Sequence, residues 1–346
     1  MVIPLRHNTL CAISLTWIAI FCLVCILTAE GAKPAHCRAD LPGCCPNVVE
    51  HVVLLHIEKT GGTSVRTFLQ SAVKKKFPKS GAICNYLKYM PYQCQPSSAN
   101  GGSSTCNQKN YDYYDSTIAT GSHFRKGCKL TSSHHDFRII EAIPEEQRKT
   151  TLLIVNLRDP ASRAVSHYHM LKRHGDPGAL NASGVVEYFT TDPLGVSISR
   201  NRMTRVMAGE FCCKDGAPAR YTGAAMYKLA LERLDEFCVV GLTSRVQDTM
   251  LYVLHALGLP TDKPPKNLHY HNNAKKYQPT APEVLKQLSD FNAHDVDLYT
   301  AARTRFAEQM SALGEAGSGN SEGGDGVKGE GVSEGSGKTE VIDTAR

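Results

Sequence analysis

A chain of 346 residues that is 42% hydrophobic can bury the core of one large domain or two smaller ones. Its thirteen cysteines are many for a cytosolic enzyme, and their spacings lack the repeated CxxC pairs of a structural zinc site. The formal charge of +6 is unevenly spread, because residues 314–346 hold seven acids and three bases, leaving +10 on residues 1–313. A body so basic suits a polyanionic partner.

Residues 1–9 read as a short cytosolic tail. Residues 10–29, "LCAISLTWIAIFCLVCILTA", carry no formal charge and match the ~20 residues that span a hydrocarbon slab as a helix. Arg6 and the amino terminus precede this run, so positive charge stays in the cytosol and the rest of the chain becomes lumenal, as in a single-pass type II signal anchor. Cleavage near Ala29 or Gly31 is the competing reading, although the apolar cores of signal peptides are usually shorter. Ten cysteines lie beyond the run, an even number that fits disulfide bonds in a lumenal chain. Residues 30–47, rich in Pro, Gly and Cys, suit a stem.

Residues 51–57 are almost continuously apolar, as in a strand covered on both faces, and residues 64–76 follow with a helical pattern ending in Lys74, Lys75 and Lys76. Residues 81–116, with many Cys, Ser, Asn and Tyr, read as a disulfide-held excursion outside the core. A second strand is expected over 151–157 and a helix over 161–173, with Pro160 suited to the first turn. Asn181-Ala182-Ser183 is a glycosylation sequon. Helices are expected over 198–208 and 224–235, a strand over 237–242, a helix over 245–257, and two more after Pro282, the last over 294–310. Strands alternating with helices predict an α/β domain, a parallel sheet flanked by helices, over 48–313. Residues 314–346, rich in glycine and without an aromatic residue, predict a disordered tail.

Two strand-to-helix turns carry polar chemistry, and ligands of parallel sheets sit at such strand ends. In "LLHIEKTGGTSV", Gly61 and Gly62 let the backbone approach a ligand, and the following helix aims free N–H groups and its positive dipole end at the same spot. Thr60, Thr63 and Ser64 add hydroxyl donors and Lys59 a positive charge, which together describe an anion cradle. The nucleotide triphosphatase pattern differs, because its lysine follows the second glycine, whereas Lys59 precedes both.

This stretch resembles the 5′-phosphosulfate loop of Golgi glycan sulfotransferases, especially the heparan sulfate 6-O and 2-O enzymes, whose donor is 3′-phosphoadenosine-5′-phosphosulfate (PAPS). "LRDPASRAVSHY" is similar to the family's 3′-phosphate site, with Arg158 and Ser166 as the gripping residues. The resemblance implies a P-loop-NTPase-like sulfotransferase fold, a Golgi-membrane enzyme with a lumenal catalytic domain, PAPS as co-substrate, no metal and no nucleic acid, and an anionic polysaccharide as acceptor. "ATGSHFRKGC" resembles the segment that carries the catalytic base and implies that role for His123, with His134, His135, His269 and His271 as competitors. Blocks at 201–209, 239–250 and 291–306 extend the similarity, and Lys276 occupies the place of a loop closing over the nucleotide. In the mechanism so implied, the base takes the acceptor proton while Lys59 stabilises the leaving phosphate. A different acceptor, such as another uronate polymer or a protein tyrosine, and a lumenal PAP- or PAPS-binding protein without turnover are the alternatives.

Overall fold

The structure is a computed structural model, and it describes residues 45–78, 83–85, 128–210, 223–261 and 280–318. Five strands build one sheet: β1 (His51–Leu55), β2 (Ile83–Asn85), β3 (Leu130–Ser133), β4 (Thr151–Leu157) and β5 (Val239–Leu242), in the spatial order β2-β3-β1-β4-β5. All four pairings are parallel. β4 is buried along all seven residues and four of the five residues of β1 are buried, which is why both read as unbroken apolar runs.

Helices cover both faces. On one, α1 (Gly62–Lys76) and α10 (Val246–Ala256) pack Val65, Leu69, Val73, Met250 and Val253 against Val52, Leu54, Leu152 and Ile154. The other face is covered by α2 (Arg138–Glu141), α8 (Arg202–Met207), α9 (Gly223–Leu234) and α12 (Ala293–Ser318), which close over Val53, Leu55, Val155 and Leu157. A third apolar cluster joins α4 (Pro160–Arg173), α6 (Val185–Thr191) and α11 (Pro282–Phe291) through Tyr168, Tyr188, Phe189 and Leu288. The short helices α3 (Glu145–Arg148), α5 (Pro177–Asn181) and α7 (Pro193–Ser199) complete the described elements.

The strand order positions the site. From β1 the chain passes to β2 on one side of the sheet, and from β4 it passes to β5 on the other. Adjacent strands whose connections diverge leave a crevice beyond their carboxyl ends, and the turns at residues 56–61 and 158–159 flank it.

Several expectations change. The segment over 81–116 is not wholly outside the core, since β2 lies within it and pairs with β3. β3 was not expected at all. The single helix over 198–208 is two helices, α7 and α8, separated where Asn201 takes a left-handed φ of 47°. The break is held from afar: the Asn201 N–H donates to Asn292 Oδ1 (2.8 Å), and Asp295 accepts from the Met203 and Thr204 N–H groups (3.1 and 2.7 Å). α12 runs on to Ser318, past the expected start of the tail, because each residue added to an existing helix gains a bond without a new nucleation cost.

At the other end Cys45, within the expected stem, is only 1% exposed and is disulfide-bonded to Cys238 just before β5. The folded body therefore takes in the last of the stem. Residues 10–29 lie outside the described residues, among which no helix is long and apolar enough to cross a membrane.

Candidate functional site

The turn after β1 is held from every side. The Thr60 hydroxyl donates to the Ile57 carbonyl (2.9 Å), and the Thr60 carbonyl accepts from the Thr243 hydroxyl (2.6 Å) and from the Asn156 amide. Thr60 is fully buried, so its hydroxyl is spent inside the turn, and only Thr63 and Ser64 of the three expected hydroxyl donors reach the surface. The glycines also serve the fold. A Cβ at Gly62 would lie 1.9 Å from His56 Cδ2, and Gly61 has φ 81°. Close approach by the protein's own histidine, and a left-handed backbone, account for the glycine pair without a ligand.

What the turn leaves open is the N-terminus of α1. Gly61 caps it without a side-chain bond, no acid stands in the first turn, and Lys74, Lys75 and Lys76 lie at the far end. The first N–H groups bonded back are those of Ser64 and Val65, both to Gly61. Among the described residues no acceptor meets the N–H groups of Gly61, Gly62 or Thr63. Three open donors on the positive end of a fifteen-residue helix favour an anion.

Lys59 stands beside them with a φ of 65°, rare for a residue with a side chain. Burial pushes its amine down to about 8, with the Arg158 and Arg173 charges acting in the same direction. Arg158 directly follows the neighbouring strand β4, and its Nη1 donates to the Lys59 carbonyl (3.2 Å). The two turns thus meet, and the Arg158 charge acts on the Lys59 amine. Arg173, at the end of α4, belongs to the same positive cluster and was not singled out from the sequence. The start of α4 differs from that of α1, for Asp159 caps it by accepting from the Ser162 N–H (2.8 Å) and Pro160 opens it. Arg158 immediately precedes this cap, and Ser166 is half-buried on the second turn of α4.

Below the turn lies a buried ionic layer. Glu58 pairs with Arg202 (2.8 Å), each side chain 4% exposed. Burial raises the Glu58 carboxyl, but the Arg202 charge and hydrogen bonds outweigh it and hold the group well below the usual carboxylate range. His56, His134 and His167 surround this pair, all depressed first by burial. His134 directly follows β3 and its ring packs on that of His56, centroids 4.1 Å apart. His134 Nδ1 lies 2.8 Å from the His56 carbonyl oxygen. A carbonyl can only accept, so Nδ1 carries the proton and Nε2 of the neutral ring keeps its lone pair.

His123, Lys276, His269 and His271 lie outside the described residues. Of the two described histidines weighed from the sequence, His134 and His135, His134 is set against the turn by its contact with His56, and an accurate strand assignment at 130–133 was the signal that could have found it. At the end of β5 a cavity of about 600 Å³ is lined by Leu242, Arg245, Tyr299, Arg303, Phe306 and Met310. Tyr299 is near enough to act on the Arg158 charge. Among the described residues no three His, Cys, Asp or Glu side chains are placed to hold a metal ion. No family model matches the chain, and no curated protein matches it.

Proposed function

We propose that the chain is a PAPS-dependent O-sulfotransferase of P-loop-NTPase-like fold that acts on a polysaccharide hydroxyl, heparan sulfate 6-O chemistry being the nearest resemblance. The observation that carries the reading is the Arg158–Lys59 hydrogen bond, which joins the two turns of the resemblance over one crevice. The open N–H groups of Gly61, Gly62 and Thr63 suit the 5′-phosphosulfate, and Arg158 with Ser166 suits the 3′-phosphate. A separate cavity, whose Tyr299 acts on the Arg158 charge, is of a size that holds small ligands.

In the reaction so proposed the acceptor oxygen attacks sulfur, its proton passes to a histidine, and the bond from sulfur to the phosphate oxygen breaks. Lys59 then faces the charge that develops on that oxygen. Two histidines compete as base: His123 by sequence context, and His134 by its fixed tautomer at a strand end. The disulfide and the apolar segment 10–29 favour a Golgi-lumenal domain on a single-pass anchor. The test is incubation of the full chain with labelled PAPS and a panel of desulfated polysaccharides and tyrosine peptides, with disaccharide mapping of any product. Transfer to a uronate polymer supports the reading. Nucleotide binding without transfer to any acceptor would identify a binding protein instead.

A further inference from the structure

Lys59 holds a left-handed backbone that costs a residue with a side chain ~1–2 kcal/mol. Such conformations persist where their surroundings over-determine them. After Lys59, Thr60 is tied to Ile57, Asn156 and Thr243, and the Lys59 carbonyl is tied to Arg158. Before it stands Glu58, whose two oxygens accept from Arg202 Nη2 (2.8 Å) and Nε (3.3 Å). Arg202 is itself placed from a distance, since it opens α8, whose start is fixed by Asp295 of α12 and by the left-handed Asn201. A continuous chain of contacts therefore runs from α12 through α8 to the residue before the lysine.

We propose that Glu58 is a positioning residue: its buried ion pair with Arg202 holds Lys59 in the left-handed conformation that keeps the amine within reach of Arg158 and Arg173, where the transferred group's anion would lie. The pair is poorly explained by stability alone, because a buried ion pair is often no more stabilising than an apolar pair of like volume. It also sits inside the turn and not elsewhere in the core. The amine's depression to about 8 is what a held lysine shows; released to solvent, it returns to the ordinary lysine range.

The proposal rests on the sulfotransferase reading for its catalytic consequence but not for its structural one, so two readouts separate them. In the full chain, lysines reductively methylated with ¹³C are titrated by NMR, the Lys59 resonance being assigned by its loss in Lys59→Arg. The variants are Glu58→Leu and the double variant Glu58→Leu/Arg202→Met, in which an apolar pair replaces the ionic one. The double variant is expected to melt near the wild type, to move the Lys59 titration from about 8 toward the ordinary lysine range, and to lower kcat about tenfold or more at unchanged acceptor KM. If the double variant does not fold, Glu58→Gln, which keeps the shape but not the charge, is expected to shift both readouts less and in the same direction. An unmoved Lys59 titration in a folded variant overturns the proposal, and so does a moved titration with wild-type kcat. A wild-type chain that transfers no sulfate defeats the sulfotransferase reading while the titration still judges whether Glu58 holds the lysine.

Discussion

An amine prefers water, and Lys59 is largely denied it while two arginines press on its charge. Its folded pKa lies below its unfolded one, so the unfolded chain binds that proton more tightly. The charged amine therefore costs the fold stability below about pH 8, and the cost relaxes as pH rises toward the unfolded value. A residue kept for structure would not be placed so. Lys59→Met is accordingly expected to raise the thermal midpoint at pH 7, by roughly the 2–4 °C that 1 kcal/mol makes in a domain of this size. The same change should lower sulfate transfer by about 10² to 10³, as losing one preorganised donor does. Calorimetry and a radiolabelled transfer assay check the two halves, and a variant that loses stability would show Lys59 to be structural. The histidines divide in a similar way. His134→Ala is expected to abolish turnover while PAP binding measured by calorimetry stays within about threefold. His123→Ala tests the sequence-based choice, and whichever variant keeps turnover is not the base.

At the scale of elements, the start of α8 shows how far a local structure can depend on remote partners. Asp295, fully buried in α12, accepts two backbone N–H groups and the Thr204 hydroxyl (2.8 Å) and lies within electrostatic reach of the fully buried Arg163. Asp295→Ala removes a cap and the larger of the two carboxylate charges, Asp295 and Glu58, that favour the buried Arg163 guanidinium, so a loss of about 3–5 kcal/mol in urea unfolding is expected. A loss under about 1 kcal/mol would contradict this account. The same contacts explain what sequence could not supply. β1, β4, α1 and α4 were legible because each has a strong period or an unbroken apolar run, and Pro160 and Asp159 mark the start of α4. β3 was not, for "LTSS" has one apolar residue, and the burial of residues 130–132 comes with a place between β1 and β2. With that strand missed, His134 had no reason to stand at a strand end. The break at Asn201 was equally hidden, since its partners Asn292 and Asp295 lie more than ninety residues away. In the site, the two turns were found from their residues, but the glycine pair was read as room for a ligand when its nearest occupant is His56.

The whole molecule carries these polar groups inside a body tied end to end. The Cys45–Cys238 bond spans 193 residues, and closing so long a loop constrains the unfolded chain by about 5 kcal/mol in the chain-entropy account. That reserve matters because His56, His134 and His167 are all depressed by burial. Each takes up its proton at a lower pH in the fold than in the unfolded chain, which binds one once pH drops below ~6.5. The unfolded state then binds more protons, so stability is complete above that pH and falls as the solution is acidified. Glu58 works the same way in a lower window, since its depressed carboxyl keeps its stabilising charge until the pH falls below the unfolded carboxylate value. Between about pH 6.5 and 5 the slope thus belongs to the histidines, at up to ~1.4 kcal/mol per pH unit for each. His167 is the cleanest probe, because among the described residues neither of its ring nitrogens has a partner and a phenylalanine would satisfy the same site. Urea unfolding of the disulfide-bonded chain at pH 7.5, 6.0 and 5.0 should show a falling stability, and His167→Phe should flatten the fall. A wild-type stability unchanged across that range would mean that these three rings take up protons in the fold as readily as they do in water.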